Sequence, residues 1–470
     1  MSAEQERYGH VPRHARIMAL STLASLHVFA LSAGAAVVKF TPERAPEPRP
    51  AAVTGRAPVL TSAVRPAAGT AAPVPDPAAL SRRLVPLLAG ADTRIGAVVT
   101  DVATGRVLFA SRADEPATPA STTKLVTSVA ALATLGPAHR ITTRTVRGSD
   151  GGVVLVGGGD PTLTARPSRK QGLEYASLPE LAWQTATALK ASGVRRVRVD
   201  YDVSAYRGPR AAYGWKPNYL PDGELAPLSA LTVDRGRRAP GVSKGNGRVS
   251  NPAASATAAF AKLLTRYGVT ARAGRSTTAP AQAVQLGAVR SPTAAELVEH
   301  LMTESDNDVA EAMARQVALK TGRPGTFADA SQAVMRALAG LGVRGGIRVN
   351  DGSGLSTASR ITPAALASVI ALAASPDHPR LRAAITGMPV AGFSGTLDAP
   401  RYTAPSTRGG SGVVRAKTGT LNGVSTLAGI AHDADGRVLA FAFMMGDGKG
   451  PVDPGRLDRL AAAVASCGCR

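Results

Sequence analysis

Cysteine, aromatic residues, histidine and acid are all scarce in this 470-residue chain. The only two cysteines, Cys467 and Cys469, stand one residue apart near the C-terminus. Two thiolates cannot close a zinc site, so no metal is expected, and the pair reads either as a local disulfide or as a dispensable tail. Aromatic residues make up 4% of the chain, and none interleave with basic ones as they do in single-strand nucleic-acid binders. Acid is outnumbered, with 33 Asp and Glu against 55 Lys and Arg, leaving a net charge of +22. That excess suits anionic lipid or an anionic cell wall, yet no run of five basic residues occurs, so no nucleic acid is expected as a partner. Of the seven histidines only His300 falls near a motif, on a helical pattern, so nothing signals a Ser-His-Asp triad.

What is present points to a globular, exported chain. Apolar residues reach 44% and charged residues 19%, enough for two or three domains with cores. Residues 1–16 are polar and carry Arg7, Arg13 and Arg16, and residues 17–38 contain no formal charge. Twenty-two such residues can cross a bilayer as a helix with the basic tail left in the cytoplasm. The expectation is a signal-anchor, with a signal peptide cleaved near Ala35 as the alternative. Either places the rest of the chain outside the cytoplasm. Residues 39–80 are rich in Pro and Ala, without apolar periodicity, and read as an extended tether.

Folding is expected from about residue 81. Residues 95–101 and 106–111 alternate as a hairpin around Val102-Ala103-Thr104-Gly105. A helix pattern follows from Ser121 to about Gly136. Residues 141–289 are more irregular, with strand-like pieces at 141–146, 153–156 and 194–199 and one helix at 179–192, and read as an inserted domain. Helical patterns then cover 293–304, 308–320, 327–340 and 363–374. Strands return at 413–417, 425–432 and 438–445 before a last helix at 456–466. Strands at both ends with helices between predict an α/β (α+β) fold, one sheet being assembled from the remote segments 81–140 and 290–466.

Three short motifs carry chemistry. Ser121-Thr122-Thr123-Lys124 opens a helix, where positions i and i+3 share a face. A serine hydroxyl is a weak nucleophile at neutral pH, and a desolvated lysine beside it can serve as its base. Ser305-Asp306-Asn307 falls between two helical patterns, where a loop presents Ser and Asn to a cleft. Lys417-Thr418-Gly419-Thr420 closes a strand, with Gly419 permitting close backbone approach. A second copy, Lys320-Thr321-Gly322, ends a helical pattern with Gly322 as its cap and Pro324 just beyond, and is read as structural.

Ser-x-x-Lys, Ser-Asp-Asn and Lys-Thr-Gly in that order are the signature of serine penicillin-binding proteins and class A β-lactamases. Further stretches narrow the match: residues 157–163 (Gly-Gly-Gly-Asp-Pro-Thr-Leu), 229–233 (Ser-Ala-Leu-Thr-Val), Asp351-Gly352-Ser353-Gly354-Leu355-Ser356, and Gly395-Thr396-Leu397. From about residue 80 to 465 the chain resembles the D-alanyl-D-alanine carboxypeptidase/endopeptidase family, the penicillin-binding protein 4 type. The resemblance implies a serine β-lactamase/transpeptidase-like fold: an antiparallel sheet flanked by helices, a helical subdomain and an inserted smaller domain. It further implies peptidoglycan stem peptides as substrate, β-lactams as covalent inhibitors and no cofactor. Ser121 would be acylated, Lys124 would take its proton, and Ser305 would relay a proton to the leaving amine. Asn307 would hold the substrate backbone and Lys124. Lys417 would attract the substrate carboxylate, with Thr418, Gly419 and Thr420 binding it, and the backbone N–H groups of Ser121 and Thr420 would form the oxyanion hole.

Two departures from the family pattern stand out. Only 180 residues separate Lys124 from Ser305, which implies a reduced insertion. Where some relatives have an acidic, aromatic pocket for the diaminopimelate amine, residues 214–219 offer Lys216 and no acid before Asp222. Two rival readings compete. A class A β-lactamase requires a Glu-x-x-x-Asn loop between the second and third motifs, and none occurs between Asn307 and Lys417. An idle, basic wall-binding module has no reason to retain Ser121, Lys124, Ser305 and Lys417 together.

Overall fold

The computed structural model describes residues 72–89, 94–167, 169–170, 173–238, 247–446, 448 and 450–468. They all belong to one compact unit, residues 66–470. Among the described residues no helix is long and apolar enough to cross a membrane, and the segment 17–38 lies outside them.

In chain order, α1 (Pro77–Leu88) precedes the hairpin of β1 (Ile95–Asp101) and β2 (Val107–Ser111), and a turn at Ala120–Thr122 leads into α2 (Thr123–Leu135). Then come β3 (Arg140–Arg147), β4 (Val153–Val156), β5 (Arg169–Lys170), β6 (Leu173–Glu174), α3 (Leu178–Ala191) and β7 (Arg196–Asp202). The chain continues through α4 (Pro252–Arg266), β8 (Thr270–Ser276), β9 (Gln285–Thr293), α5 (Ala294–Glu304), α6 (Asn307–Lys320) and α7 (Phe327–Gly340). Next are β10 (Ile347–Arg348), β11 (Arg360–Ile361), α8 (Pro363–Ala374) and α9 (Ala383–Thr386). The last elements are β12 (Val414–Leu421), β13 (Val424–His432), β14 (Val438–Met445) and α10 (Pro454–Ala465).

The principal sheet runs β12-β13-β14-β1-β2, antiparallel throughout, so strands remote in sequence pair directly, Ile95 opposite Met445 and Asp101 opposite Leu439. Its central strand β14 explains the layering. Leu439, Phe441, Phe443 and Met445 point into one core with Leu80 and Leu84 of α1 and Leu457 and Leu460 of α10. The intervening Ala440, Ala442 and Met444 meet α2, α5, α6 and α8 on the opposite face. A strand buried on both faces reads as an unbroken apolar run, and the small alanines let the helices approach closely. Asp101 and Arg437 clamp one end of the sheet through a buried bidentate pair, with Nε–Oδ1 2.6 Å and Nη2–Oδ2 2.7 Å. Burial alone would raise the Asp101 pKa, but Arg437 together with the hydrogen bonds from Thr104 outweighs it and the carboxyl sits below its usual range.

Residues 140–293 build a second five-stranded sheet, β8-β7-β4-β3-β9, in which β7 runs parallel to β4 and β8 while β3 is antiparallel to its neighbours. Helices α3 and α4 cover it through Leu178, Leu181, Phe260 and Leu264.

Two sequence expectations change. The tether was expected to reach residue 80, but a helix starts at Pro77. Asp76 caps it by accepting from the Ala79 N–H at 2.7 Å, Pro77 occupies the first turn, where its missing N–H costs nothing, and Leu80 and Leu84 are buried. The irregular reading of the second half of the insertion also gives way, to α4, β8 and β9. Strand β8 is a mostly exposed edge spelled Thr-Ala-Arg-Ala-Gly-Arg-Ser, with no apolar alternation to announce it.

Candidate active site

Ser121 lies in the single turn that enters α2. The turn begins at Ala120, whose φ of 48° is a left-handed value costing a non-glycine residue about 1–3 kcal/mol. Helix α2 is buried nearly all round, from Thr123 to Leu132, and Lys124 is fully buried. Its Nζ contacts Ser121 Oγ at 3.0 Å, Asn307 Oδ1 at 2.7 Å and the Ser353 carbonyl at 2.8 Å. The last is a pure acceptor. So is the second, because Asn307 turns its Nδ2 to donate to the Glu224 carbonyl at 3.1 Å, which assigns Oδ1 to the lysine side. These contacts hold the amine within hydrogen-bond reach of the serine hydroxyl, the distance a general base requires.

The second motif divides its work residue by residue. Ser305 ends α5 in the left-handed region, φ 55° and ψ 38°. Asp306 caps α6, its Oδ1 accepting from the Val309 N–H at 3.1 Å, and Asn307 is the first residue of that helix. Asp306 also faces Arg235 Nε at 3.0 Å and His300 Nε2 at 3.3 Å. Burial would raise its pKa, but the Arg235 charge and the hydrogen bonds from His300 and the Val309 N–H hold the carboxyl well below the ordinary range. Asp308 is pushed the other way, by burial and then by repulsion from Asp306, despite Arg248 at 3.3 Å.

Strand β12 brings in the third motif. Thr418 and Thr420 line the same cavity of about 1000 Å³ as Ser121, Ser305 and Asn307. Thr418 Oγ1 donates to Thr396 Oγ1 at 2.8 Å, which draws the Gly395-Thr396-Leu397 stretch into the site. Lys417 and Gly419 lie on the alternate face of the strand. Lys417 is fully buried behind the cavity wall, its Nζ donating to the Thr418 carbonyl at 2.8 Å. Burial, then the charge of Lys124, lowers its pKa well below that of a free lysine. Gly419 was expected to admit a ligand. It instead admits the nucleophile's own loop: a Cβ there would stand 2.2 Å from Thr426 Oγ1, 2.8 Å from the Pro119 carbonyl and 3.0 Å from the Ser121 nitrogen. The copy at Lys320-Thr321-Gly322 ends α6 on the surface, with Gly322 at φ 72°.

Sequence reasoning assigned no role to the loop 351–356, although its carbonyl at Ser353 accepts from the lysine. Glu311, buried on α6, accepts from the N–H groups of Gly352 at 3.1 Å and Ser353 at 2.9 Å. Asp351 accepts from Ser356 N at 2.7 Å and from Trp215 Nε1 at 2.7 Å. Arg315 lies 3.9 Å from Glu311 and stacks over Phe327, 3.9 Å from the ring centroid. Burial, then repulsion from Asp351, pushes Glu311 up to about 7. A signal was available, since Asn307, Glu311 and Arg315 recur every four residues along one helix face. The arginines at 235, 237 and 248, which face the cavity from the second sheet's connections, were also missed. So were the acids beyond Lys216: Asp222 and Glu224 both line the cavity. Cys467 is buried and disulfide-bonded, and Cys469 lies outside the described residues. Among the described residues no cluster of ligating side chains could hold a metal.

Known proteins resemble this chain. Carboxypeptidase Rv3627c of Mycobacterium tuberculosis is 37% identical over 433 residues, 91% of each chain. Carboxypeptidase DacB of Mycolicibacterium smegmatis is 37% identical over 406 residues, 85% of this chain and 86% of its own. The crystal structure of penicillin binding protein 4 from Haemophilus influenzae superposes with a TM-score of 0.63 over 83% of this chain and 98% of that one, at 21% identity, and shares its fold. The profile of the D-Ala-D-Ala carboxypeptidase 3 (S13) family matches residues 86–247 and 241–464. With that match over most of its folded part, the chain belongs to the D-Ala-D-Ala carboxypeptidase 3 (S13) family.

Proposed function

We propose that this protein is a serine D-Ala-D-Ala carboxypeptidase and D,D-endopeptidase of peptidoglycan stem peptides, inhibited by covalent reaction with β-lactams. One observation carries the reading: a fully buried Lys124 whose Nζ stands 3.0 Å from Ser121 Oγ and is positioned there by the Asn307 side-chain oxygen and the Ser353 carbonyl. Lys124 takes the hydroxyl proton as Ser121 Oγ attacks the carbonyl of the penultimate D-alanine. The N–H groups of Ser121 and Thr420 stabilise the oxyanion as it develops. Ser305 passes a proton to the leaving amine, D-alanine departs, and water then releases the acyl group by the reverse proton route. Thr418 and Thr420 bind the C-terminal carboxylate, with Lys417 supplying positive potential from behind. The segment 17–38 anchors the enzyme outside the cytoplasm, or is cleaved near Ala35.

Incubation with a labelled penicillin followed by mass spectrometry tests the chemistry. A lasting adduct on Ser121 is expected. An adduct shed within seconds supports a β-lactamase, and none at all supports an idle wall-binding module. D-alanine release from a pentapeptide, measured beside cleavage of a cross-linked dimer, then ranks the two peptidase activities. Fractionation with membranes, against release of a chain starting near residue 36, tests the anchor.

A further inference from the structure

The cavity beside Ser121 is at the top of the range that takes a drug-sized ligand, far more than two alanines fill. One wall carries three arginines, Arg235, Arg237 and Arg248. Arg235 is paired with Asp306 and Arg248 with Asp308. Arg237 has no acidic partner among the described residues. Half-buried, it feels burial first and then the charges of Arg248 and Arg235, which together hold its pKa below that of a free arginine, against the weaker pull of Asp306 and Asp308. Three cations share two anions.

The backbone puts them there at a cost. Asp234, Arg235 and Gly236 are consecutively left-handed, with φ of 50°, 55° and 65°. The turn is held by the Gly236 N–H to the Val233 carbonyl at 2.8 Å and the Arg237 N–H to the Asp234 carbonyl at 3.1 Å. Such a turn persists only where surrounding contacts over-determine it, and here it delivers Arg235 to the Ser-Asp-Asn motif and Arg237 to the cavity. A planar guanidinium with no acidic partner among the described residues, half-buried in the wall of a cavity, is built for a carboxylate.

We propose that Arg237 is a specificity-determining residue that takes a second carboxylate of the peptide substrate, upstream of the scissile bond and distinct from the C-terminal carboxylate bound at Thr418 and Thr420. This rests on the peptidase reading and extends it: the enzyme reads charge on the acyl side of the substrate as well as the bond it cuts. Asp222, Glu224 and Glu304 also line the cavity, but the acids acting most strongly on Arg237 are Asp306 and Asp308, both already matched.

The test uses the full chain and pairs of peptides ending in D-Ala-D-Ala. Within each pair one of the three preceding residues carries a free carboxylate or its carboxamide. At one position the wild-type enzyme is expected to favour the carboxylate about tenfold in kcat/KM, the scale of one charge-assisted contact. Arg237→Gln should bring that ratio to about one, and Arg237→Lys should keep part of it. Raising the ionic strength should shrink the wild-type ratio, a measurement independent of any variant's folding. A wild-type ratio of one at every position, or an undiminished ratio in Arg237→Gln, overturns the proposal and leaves the peptidase intact. Failure of the peptidase reading is separately visible: neither peptide loses D-alanine, penicillin leaves no adduct on Ser121, and the subsite falls with it.

Discussion

The tripeptide Lys-Thr-Gly occurs twice in this chain, and its two copies have almost nothing in common but their spelling. At 320–322 it ends α6. Lys320 is exposed, Thr321 Oγ1 donates back to the Ala318 carbonyl at 2.9 Å, and Gly322 takes the left-handed conformation that stops a helix. At 417–419 it lies in β12, where the two-residue period sends Lys417 and Gly419 toward the nucleophile's loop and Thr418 into the cavity. Chemistry belongs to the surroundings, and the tripeptide only supplies parts. Substitutions at matched positions should therefore diverge. Lys417→Ala removes the buried amine behind the proposed carboxylate site and should slow acylation by penicillin by about 10²–10³, the usual cost of losing one preorganised electrostatic group. Lys320→Ala should leave acylation at the wild-type rate, and thermal unfolding should place its stability within about 0.5 kcal/mol of wild type. Equal losses in stopped-flow acylation would remove the distinction.

The glycines separate two mechanisms of damage. Gly419→Ala forces a methyl against Thr426 Oγ1 and the backbone at Pro119 and Ser121. Overpacking of this kind costs about 1–3 kcal/mol and moves the serine, so stability and acylation should fall together. At Gly322 nothing lies within 4 Å of an added Cβ. Gly322→Ala should cost about 1 kcal/mol through its positive φ alone, and the protein that remains folded should acylate normally. Chemical denaturation measured beside acylation rate distinguishes the two.

Glu311 extends the comparison to a group the three motifs leave out. Its pKa of about 7 lies above the ordinary glutamate value, so the native state retains a proton that the unfolded state has already released. By linkage, stability contributed at this site is present at low pH and is lost as pH rises from the unfolded value through about 7. Glu311→Gln should remove that slope. Acylation should stay close to the wild-type rate, because the amide keeps one oxygen, and a single oxygen of Glu311 already accepts from both the Gly352 and Ser353 N–H groups, whose loop carries a partner of Lys124. Denaturation midpoints across pH 5 to 8 supply the check. An unchanged slope would mean that Glu311 does not govern this window.

Much of this site was readable in the sequence, for local reasons. Ser121 and Lys124 meet because helix spacing guarantees it, and the strands at 153–156 and 438–445 are apolar runs whose ends coincide with turns. The hidden parts are those decided by remote packing. That Ser353 would offer its carbonyl to Lys124, 229 residues away, follows from Glu311 and Asp351 gripping a glycine-rich loop, and no local pattern records the grip. Strand β8 was invisible because an exposed edge rich in arginine has no apolar period. Asp222 and Glu224 lie too far along the chain from Lys216 for sequence proximity to place them in its pocket, but the fold does. The helix at Pro77 was a different failure. Asp76-Pro77 is a good local start signal, masked by the density of prolines before it.

The smallest expected effect lies beside the surface copy. His139 is held below the ordinary histidine pKa, first by burial and then by the charge of Lys320. A lowered histidine binds fewer protons in the folded state than in the unfolded one, so its contribution to stability is lost as pH falls through the ordinary value. Lys320→Ala removes the weaker of the two causes. The His139 resonance, followed by NMR titration, should move upward toward the ordinary value without reaching it, since burial remains, and the acid-side loss of stability should become shallower. The same substitution at Lys417 has no histidine to report on it. A stationary His139 would show that Lys320, although charged and near, is screened by water to the point of silence, which would make the surface copy inert in electrostatics as well as in catalysis.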